Sequence, residues 1–177
     1  MIFTETALKG AFVLQPERIE DERGFFARTF DHREFVQHGL KSTFVQSSLS
    51  FNLKRGTLRG MHYQVAPHEE VKLIRCTQGA LYDVIIDLRP GSPTFAQHVA
   101  IVLSAESRAL LYVPEQFAHG FQTLVDNTEI FYQMTAEYAP DCARGIRWND
   151  PTFAIPWPAA ERTLNARDRD YPDFGQH

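Results

Sequence analysis

The chain has 177 residues, of which 44% are hydrophobic and 23% are charged, and its net charge is -4. This length suits one domain, residues 1–177, with a core that needs no disulfides, and the negative charge disfavours nucleic acid as a partner, although a few arginines can still hold a small anion. The N-terminus lacks a secretion signal, and no apolar run reaches the roughly 20 residues of a membrane span, so we expect a cytoplasmic protein with no membrane partner.

The predicted elements begin with a short helix over residues 32–38, because Asp31 and Glu34 form a capping-box-like start and Gly39 supplies a left-handed stop. Short apolar segments separated by turn signals follow, and 14 Phe and 6 Tyr against 3 Met also favour strands. Many short strands at close spacing are typical of a jelly-roll β-barrel, so we predict an all-β fold. The predicted strands are 44–46, 71–77, 80–88, 99–103, 110–113, 120–125 and 130–135.

Turn signals and the tail complete this outline. Gln78-Gly79 predicts a hairpin turn, residues 89–93 a longer loop, and Asp126-Asn127 another turn. From Pro140 onward the chain is rich in Pro, Arg and Asp, with little apolar periodicity. We expect a long wrap there, with a short helical turn near residues 159–163.

Two segments, residues 59–64 (RGMHYQ) and 114–120 (PEQFAHG), carry the spacing of the metal site in cupins, which are small β-barrels. The cupin pattern, G-x5-H-x-H-x3,4-E followed by P-x-G-x2-H, places three histidines and a glutamate around one ion. His62 and His119 stand at the cupin intervals, but Gln64 replaces the second histidine. Two imidazoles and at most one carboxylate fall short of the three ligands that catalytic metal sites usually have. We therefore predict a cavity without metal or other cofactor, in which protons are transferred.

Strand alternation indicates which polar groups share that cavity. Lys72 and Tyr132 each lie on an otherwise apolar strand face, which suggests a lined pocket. Each group also has a structural alternative: His62 as a histidine satisfied by a neighbour, Lys72 as a lysine that reaches out to water, and Tyr132 as a barrel aromatic. Surface solvation is the default for arginines, but five near the candidate pocket fit recognition of a diphosphate: Arg23, Arg28, Arg55, Arg59 and Arg75.

Six linked segments run through nearly the whole chain: residues 21–26 (DERGFF), 56–64 (GTLRGMHYQ), 72–76 (KLIRC), 114–121 (PEQFAHGF), 138–140 (YAP) and 146–151 (IRWNDP). Together they resemble the deoxythymidine-diphosphate (dTDP)-4-dehydrorhamnose 3,5-epimerase family, which has a cupin fold and uses no metal. The resemblance implies an isomerase that inverts C3, C5 or both in a nucleotide-diphospho-4-keto-6-deoxy sugar, passing through an enolate.

The resemblance also implies catalytic roles. His62 would be the base, and Asp168, in a C-terminal acidic motif, would orient and charge it. Lys72 would hold the ketone oxygen as negative charge develops on it. Tyr132 would return a proton from the other face of the sugar, and His119 would complete the hydrogen bonds around the sugar.

For the nucleotide, the resemblance implies contacts from Arg23, Phe26, Gln46 and Arg59, with Tyr138 as a stacking residue. In the family the N-terminal segment is exchanged between the subunits of a dimer. We therefore expect a homodimer in which Arg23 and Phe26 serve the partner's site.

Three departures from the family pattern affect specificity. Arg28 stands where the family has a glutamate, Ser47-Ser48 where it has Asp-Asn, and Ala143 where it has a glutamate. Because these positions lie near the substrate in the family, Arg28 and Ser48 join the candidate substrate-binding residues. The reversed charge at Arg28 favours a different base or an additional anionic contact.

Several alternatives stay open on the sequence alone. The carrier is dTDP, GDP or CDP, the sugar is a hexose or a 6-deoxyheptose, and C3, C5 or both are inverted. A 3,4-ketoisomerase on the same fold, a catalytically silent sugar-binding cupin and a cupin with an unusual metal set are competing functions. The polysaccharide or natural product that receives the sugar is also undetermined.

Overall fold

The computed structural model describes residues 1–175, which contain thirteen strands, two α-helices and one 3-10 turn. The helices are α1 His32–Gln37 and α2 Ala166–Arg169, and the 3-10 turn is Pro140–Cys142. The strands are β1 Ile2–Glu5, β2 Phe12–Gln15, β3 Arg18–Asp21, β4 Gly24–Ala27, β5 Gln46–Asn52, β6 Leu58–Gln64, β7 Lys72–Gln78, β8 Ala80–Asp87, β9 His98–Ser104, β10 Leu110–Val113, β11 Phe117–Thr123, β12 Thr128–Met134 and β13 Ala143–Gly145.

Two antiparallel sheets make up the barrel. One has six strands in the order β1-β2-β10-β7-β12-β5, and the other has five in the order β13-β6-β11-β8-β9. The inward faces of both sheets meet in one buried apolar cluster, which includes Ile74 and Leu111 from the first sheet and Ile85 and Phe117 from the second. The predicted all-β, cupin-type jelly-roll barrel is therefore confirmed.

The outer face of each sheet is covered by a different part of the chain. Helix α1 buries Phe35 against Leu73 and Tyr112 of the six-stranded sheet. The C-terminal wrap buries Ile146 and Trp157 against the five-stranded sheet. Part of each sheet is therefore apolar on both faces. The apolar contacts with the five-stranded sheet hold the C-terminal wrap, including α2, against β6.

The predicted helix is confirmed, with its end one residue earlier than expected. Asp31 accepts hydrogen bonds from the N–H groups of Arg33 and Glu34 at the start of α1. Gly39 has a φ of +70° just beyond the end, as a left-handed stop requires.

The predicted helical turn at residues 159–163 is wrong, because this segment gives its backbone hydrogen bonds to the barrel. Ala159 donates to Gln122 Oε1 and accepts from Gln122 Nε2, at 2.9 and 3.1 Å. Thr163 donates to the Gly56 carbonyl and accepts from the Leu58 N–H. The C-terminal helix lies instead at Ala166–Arg169.

The Gln78-Gly79 hairpin is also wrong. The strands on either side, β7 and β8, belong to different sheets, so Gly79 turns the chain from one sheet to the other. The loop at residues 89–93 does lie between two paired strands, β8 and β9. The predicted strands do not include β1 to β4 and β13, which are only three or four residues long, or β6. The predicted strand 44–46 meets β5 only at Gln46.

Within residues 1–175 no helix has the length and apolar composition that a membrane crossing requires.

Strands β6 and β11 approach each other unusually closely beside His62. Gly60 has a φ of +133°, and a Cβ on it would lie 2.5 Å from Gly120 Cα and 3.0 Å from the His119 carbonyl oxygen. No side chain fits there, so glycine at position 60 is required for the pairing that sets His62 opposite His119.

We predict that Gly60→Ala lowers the free energy of unfolding by about 2–4 kcal/mol, since it adds a backbone clash to a left-handed conformation. The matched control is Gly39→Ala, where φ is also positive but nothing lies within 4 Å. It should cost only about 1 kcal/mol. Urea unfolding at one protein concentration measures both, and equal losses for the two variants would contradict the close approach.

Candidate active site

Two adjoining cavities open between the sheets and share His62, Lys72 and Tyr132. The larger, of about 310 Å³, also contains Gln46, Ser48 and Tyr138 in its lining. The smaller, of about 170 Å³, adds Arg59 and His119. Eight of the residues singled out from the sequence therefore lie around one connected space.

Asp168 binds His62 from the C-terminal wrap. Its Oδ1 lies 2.7 Å from His62 Nε2, and its Oδ2 accepts a hydrogen bond from the Gly60 N–H at 3.2 Å. The carboxylate is buried, whereas 41% of the imidazole is exposed towards the cavity. A carboxylate at Nε2 favours the tautomer with its proton on Nε2, so Nδ1 is the nitrogen left free to accept a proton.

A second imidazole–carboxylate pair lies on the neighbouring strands. His119 is directly opposite His62 across the β6–β11 pairing. Its Nε2 lies 2.9 Å from Asp83 Oδ1, and Asp83 is completely buried. Burial raises the pKa of Asp83, and the adjacent His119 opposes that rise. His119 therefore makes the wall of the smaller cavity polar, and the buried Asp83 carboxylate behind it has a hydrogen-bonding partner.

Lys72 enters the cavities from the start of β7, and the Glu70 carboxylate accepts a hydrogen bond from its Nζ. Both side chains are nearly buried, with 10% of Lys72 and 12% of Glu70 exposed. A buried ammonium is tolerated when it is paired and hydrogen-bonded, and the ammonium keeps further N–H donors for a ligand.

Tyr132 lies on β12, beside Ser48 of β5 in the strand register. Burial raises the pKa of the Tyr132 hydroxyl, Arg59 counteracts this, and Glu70 adds to it. The phenol is therefore neutral at physiological pH and can donate a proton, but leaving a tyrosinate behind requires nearby positive charge.

Arg59 is held by β5. Its Nε donates to Asn52 Oδ1 at 2.8 Å, and Asn52 is itself buried between two strands. At the other end of the larger cavity, Gln46 Oε1 accepts a hydrogen bond from the Tyr138 N–H at 2.8 Å. Arg167 approaches the Tyr138 hydroxyl at 3.5 Å. These contacts fix a cationic group at each end of the space.

Three candidates lie elsewhere in this chain. Arg23 is 82% exposed at the tip of the β3–β4 hairpin, where it pairs with Asp21. Phe26 is 63% exposed, and it lines a separate cavity on the six-stranded sheet. Arg28 pairs with Asp31 at the start of α1, at 3.1 Å. None of the three lines a cavity that contains His62.

Four charged residues in or beside the site were not among the candidates: Glu70, Asp83, Arg144 and Arg167. Two of them carried a usable signal. Glu70 precedes Lys72 by two residues and so shares its side of an extended chain, and Arg167 is adjacent to Asp168. Asp83 could not have been matched to His119 without the strand register. Among residues 1–175, no three His, Cys, Asp or Glu side chains form a group that could hold a metal ion.

Comparison with known proteins agrees with this geometry. The family model described as dTDP-4-dehydrorhamnose 3,5-epimerase matches residues 5–176. The chain is 41% identical to the dTDP-4-dehydrorhamnose 3,5-epimerase of Salmonella typhimurium, an alignment that covers 99% of this chain and 97% of the relative.

Solved structures give the same result. The crystal structure of dTDP-4-dehydrorhamnose 3,5-epimerase from Bacillus anthracis with TDP and PPi bound superimposes with a TM-score of 0.94 at 41% identity, covering 97% of this chain and 98% of that one. The Legionella pneumophila enzyme in complex with dTDP-4-keto-L-rhamnose superimposes with a TM-score of 0.91 at 33% identity, covering 97% and 92%. A fold shared end to end, with this sequence identity, shows that the chain belongs to the dTDP-4-dehydrorhamnose 3,5-epimerase family of isomerases.

Proposed function

We propose that this chain, acting as a single domain, inverts C3 and C5 of dTDP-4-dehydro-6-deoxy-glucose to give dTDP-4-dehydrorhamnose. The observation that carries the proposal is the convergence of His62, Lys72 and Tyr132 on one connected cavity. The structure of a family member with dTDP-4-keto-L-rhamnose bound supports a sugar of this kind.

The chemistry follows from the C4 ketone, which acidifies the C–H bonds at C3 and C5. His62 Nδ1 takes the proton from carbon, and the electron pair moves onto the ketone oxygen as an enolate. Lys72 Nζ donates a hydrogen bond to that oxygen, a preorganised interaction typically worth several kcal/mol in the transition state. Tyr132 then gives its hydroxyl proton to the opposite face of the same carbon, which inverts the centre.

Resetting the site requires exchange with water. The imidazolium at His62 releases its proton, and the tyrosinate at Tyr132 takes one up, before the second centre reacts. The charge on Asp168 stabilises the imidazolium, and Arg59 stabilises the tyrosinate. Each inversion therefore leaves a solvent-derived hydrogen on carbon.

For the nucleotide diphosphate, Arg59 at one end of the space and Arg144 and Arg167 at the other supply the positive charge. Gln46 and Tyr138 line the larger cavity together with Arg144 and Arg167. Arginine forks bind phosphate oxygens in pairs, and an aromatic ring packs against a planar base.

We also propose a homodimer with an exchanged N-terminal segment. The β3–β4 hairpin pairs with neither main sheet and leaves Ile19 and Phe26 exposed. The edge strand β5 likewise leaves Leu49 and Phe51 exposed on its outer face. A second copy of the chain would cover these apolar side chains, and Arg23 and Phe26 of each subunit would then reach the site of the other. In this chain neither residue lines a cavity that contains His62. A cytoplasmic location stays a prediction from the sequence.

The competing functions make different products. A 3,4-ketoisomerase moves the carbonyl to C3, so a ketone that stays at C4 in the product ¹³C spectrum contradicts it. A catalytically silent cupin gives no product, and a metal-dependent cupin loses activity on chelation. The pairing of His62 with Asp168 and of Lys72 with Glu70 favours enolate chemistry over a silent or a metal-dependent cupin, whereas only the position of the product ketone separates the epimerase from the ketoisomerase.

We predict that His62→Ala lowers the rate of solvent deuterium incorporation at C3 and C5 by about 10²–10⁴-fold, because it removes the base. Binding of dTDP should be nearly unchanged, since the arginines remain. The matched control is His98→Ala on β9, outside both cavities. NMR in ²H₂O measures the exchange, and exchange at the wild-type rate in His62→Ala would remove His62 as the base.

Among dTDP, GDP and CDP, we predict that dTDP gives the largest rise in melting temperature, since the best-bound ligand stabilises the native state most by mass action. Arg59→Met should weaken dTDP binding about 10-fold or more, because a charge-assisted hydrogen bond is lost. Arg55→Met, at a position outside both cavities, is the control. If GDP or CDP ranks first, the dTDP assignment is wrong and the charge at Arg28 becomes the first candidate for the switch.

Mixed dimers test the exchanged segment. His62→Ala and Arg23→Ala variants should each be nearly inactive alone, because each dimer then lacks a base or a phosphate contact in both sites. Coexpression gives about half mixed dimers, each with one intact site, so activity should return to roughly a quarter of wild type if the segment is exchanged. A mixture no more active than its parents would contradict the exchange.

A further inference from the structure

We infer that Glu70 is a positioning residue of this site, which holds the Lys72 ammonium at the cavity. The inference rests on the proposed function for its kinetic consequences, but the contacts that carry it are independent of the substrate.

The first step is the contact itself. Lys72 Nζ donates to Glu70 Oε1, and both side chains are close to fully buried. A lysine side chain has four rotatable bonds and moves freely unless something holds its end. Glu70 is the carboxylate that does so here, and it leaves further ammonium N–H groups for the ketone oxygen.

The second step is the support of Glu70. Gln64, at the end of β6 and 4% exposed, places its Nε2 3.4 Å from Glu70 Oε2. The same amide accepts from the Ala139 N–H at 2.7 Å, and its Nε2 donates to the His68 and Glu137 carbonyls at 2.8 and 3.2 Å. Gln64 therefore lies between Glu70 and the segment that carries Tyr138, and its contact with Glu70 is the longest of the three that Nε2 makes. This gives a role to the glutamine that stands at a cupin ligand position.

The third step is charge. The two cavities that Tyr132 lines also contain other ionisable side chains. They are Glu70 just before β7, Lys72 on β7, Arg59 and His62 on β6, and His119 on β11. Strand β5 contributes only uncharged side chains to these cavities. Arg144 and Arg167 also line the larger cavity. Glu70 is the carboxylate in this set that raises the pKa of Tyr132, so removing its charge should lower that pKa.

The test separates the hydrogen-bond acceptor from the charge. Glu70→Gln keeps an acceptor for Lys72 without the charge, and Glu70→Met has similar size but neither property. Glu69→Gln, whose carboxylate contacts Gln116 outside both cavities, is the matched control for net charge. The kinetic constants kcat and KM for dTDP-4-dehydro-6-deoxy-glucose are measured by NMR at a series of pH values.

We expect Glu70→Met to lower kcat about 10- to 100-fold, because a misplaced Lys72 no longer meets the enolate, with KM changed by less than about threefold. Glu70→Gln should keep kcat within about threefold of wild type, but the alkaline limb of its pH profile should move to lower pH. Wild-type kcat in Glu70→Met, or an unmoved alkaline limb in Glu70→Gln, would overturn the inference. If Glu70→Met fails to fold, the Glu70→Gln profile decides alone.

A substrate-free measurement keeps the two proposals apart. Acetylation of Lys72 by acetic anhydride, quantified by mass spectrometry, should be faster in Glu70→Met than in wild type, because the carboxylate no longer occupies Nζ. If wild type does not epimerise the sugar but this difference is found, the proposed function fails and the role of Glu70 stands. Equal labelling in a folded Glu70→Met variant overturns the role of Glu70 whatever the enzyme does.

Discussion

The buried carboxylate of Asp168 links the C-terminal wrap to β6, which carries the proposed base His62. One oxygen binds His62 Nε2, and the other binds the Gly60 N–H two residues earlier on β6. Asn165 caps the short helix α2 by accepting a hydrogen bond from the Asp168 N–H at 2.7 Å, so Asp168 is held through its backbone as well as through its carboxylate. A change that weakens the packing of the C-terminal wrap on the barrel therefore also alters the orientation and basicity of the His62 imidazole.

The part of the barrel interior around the two cavities is polar, and its charged side chains have hydrogen-bond partners. Asp83 pairs with His119, Glu70 pairs with Lys72, and Asn52 accepts a hydrogen bond from Arg59. Burying one charge alone would cost several kcal/mol, whereas pairs with satisfied hydrogen bonds persist in a buried site. This arrangement keeps the polar side chains around the cavities in fixed positions before a ligand arrives, and the electrostatic stabilisation of the proposed enolate requires such preorganised groups.

Sequence reasoning reached the fold class and most of the site, for physical reasons. Alternation of polar and apolar residues marks which side chains share a strand face, so Lys72 and Tyr132 were placed towards the interior. It could not reveal partners across strands, which depend on register. Asp83, for example, meets His119 only because β8 and β11 are neighbours in the sheet. The helical turn expected at residues 159–163 does not form, because the Gln122 side chain makes hydrogen bonds with the backbone of Ala159 instead.

In the proposed mechanism the hexose lies between the His62 imidazole on β6 and the Tyr132 phenol on β12. A crystal structure with dTDP-L-rhamnose, which lacks the ketone and cannot react, would show this placement. We expect a sugar ring with His62 Nδ1 facing one side, the Tyr132 hydroxyl facing the other, and the C4 oxygen within hydrogen-bond distance of Lys72 Nζ. A ring that contacts only one of the two proton-transfer groups, or that lies outside the shared cavity, would contradict it.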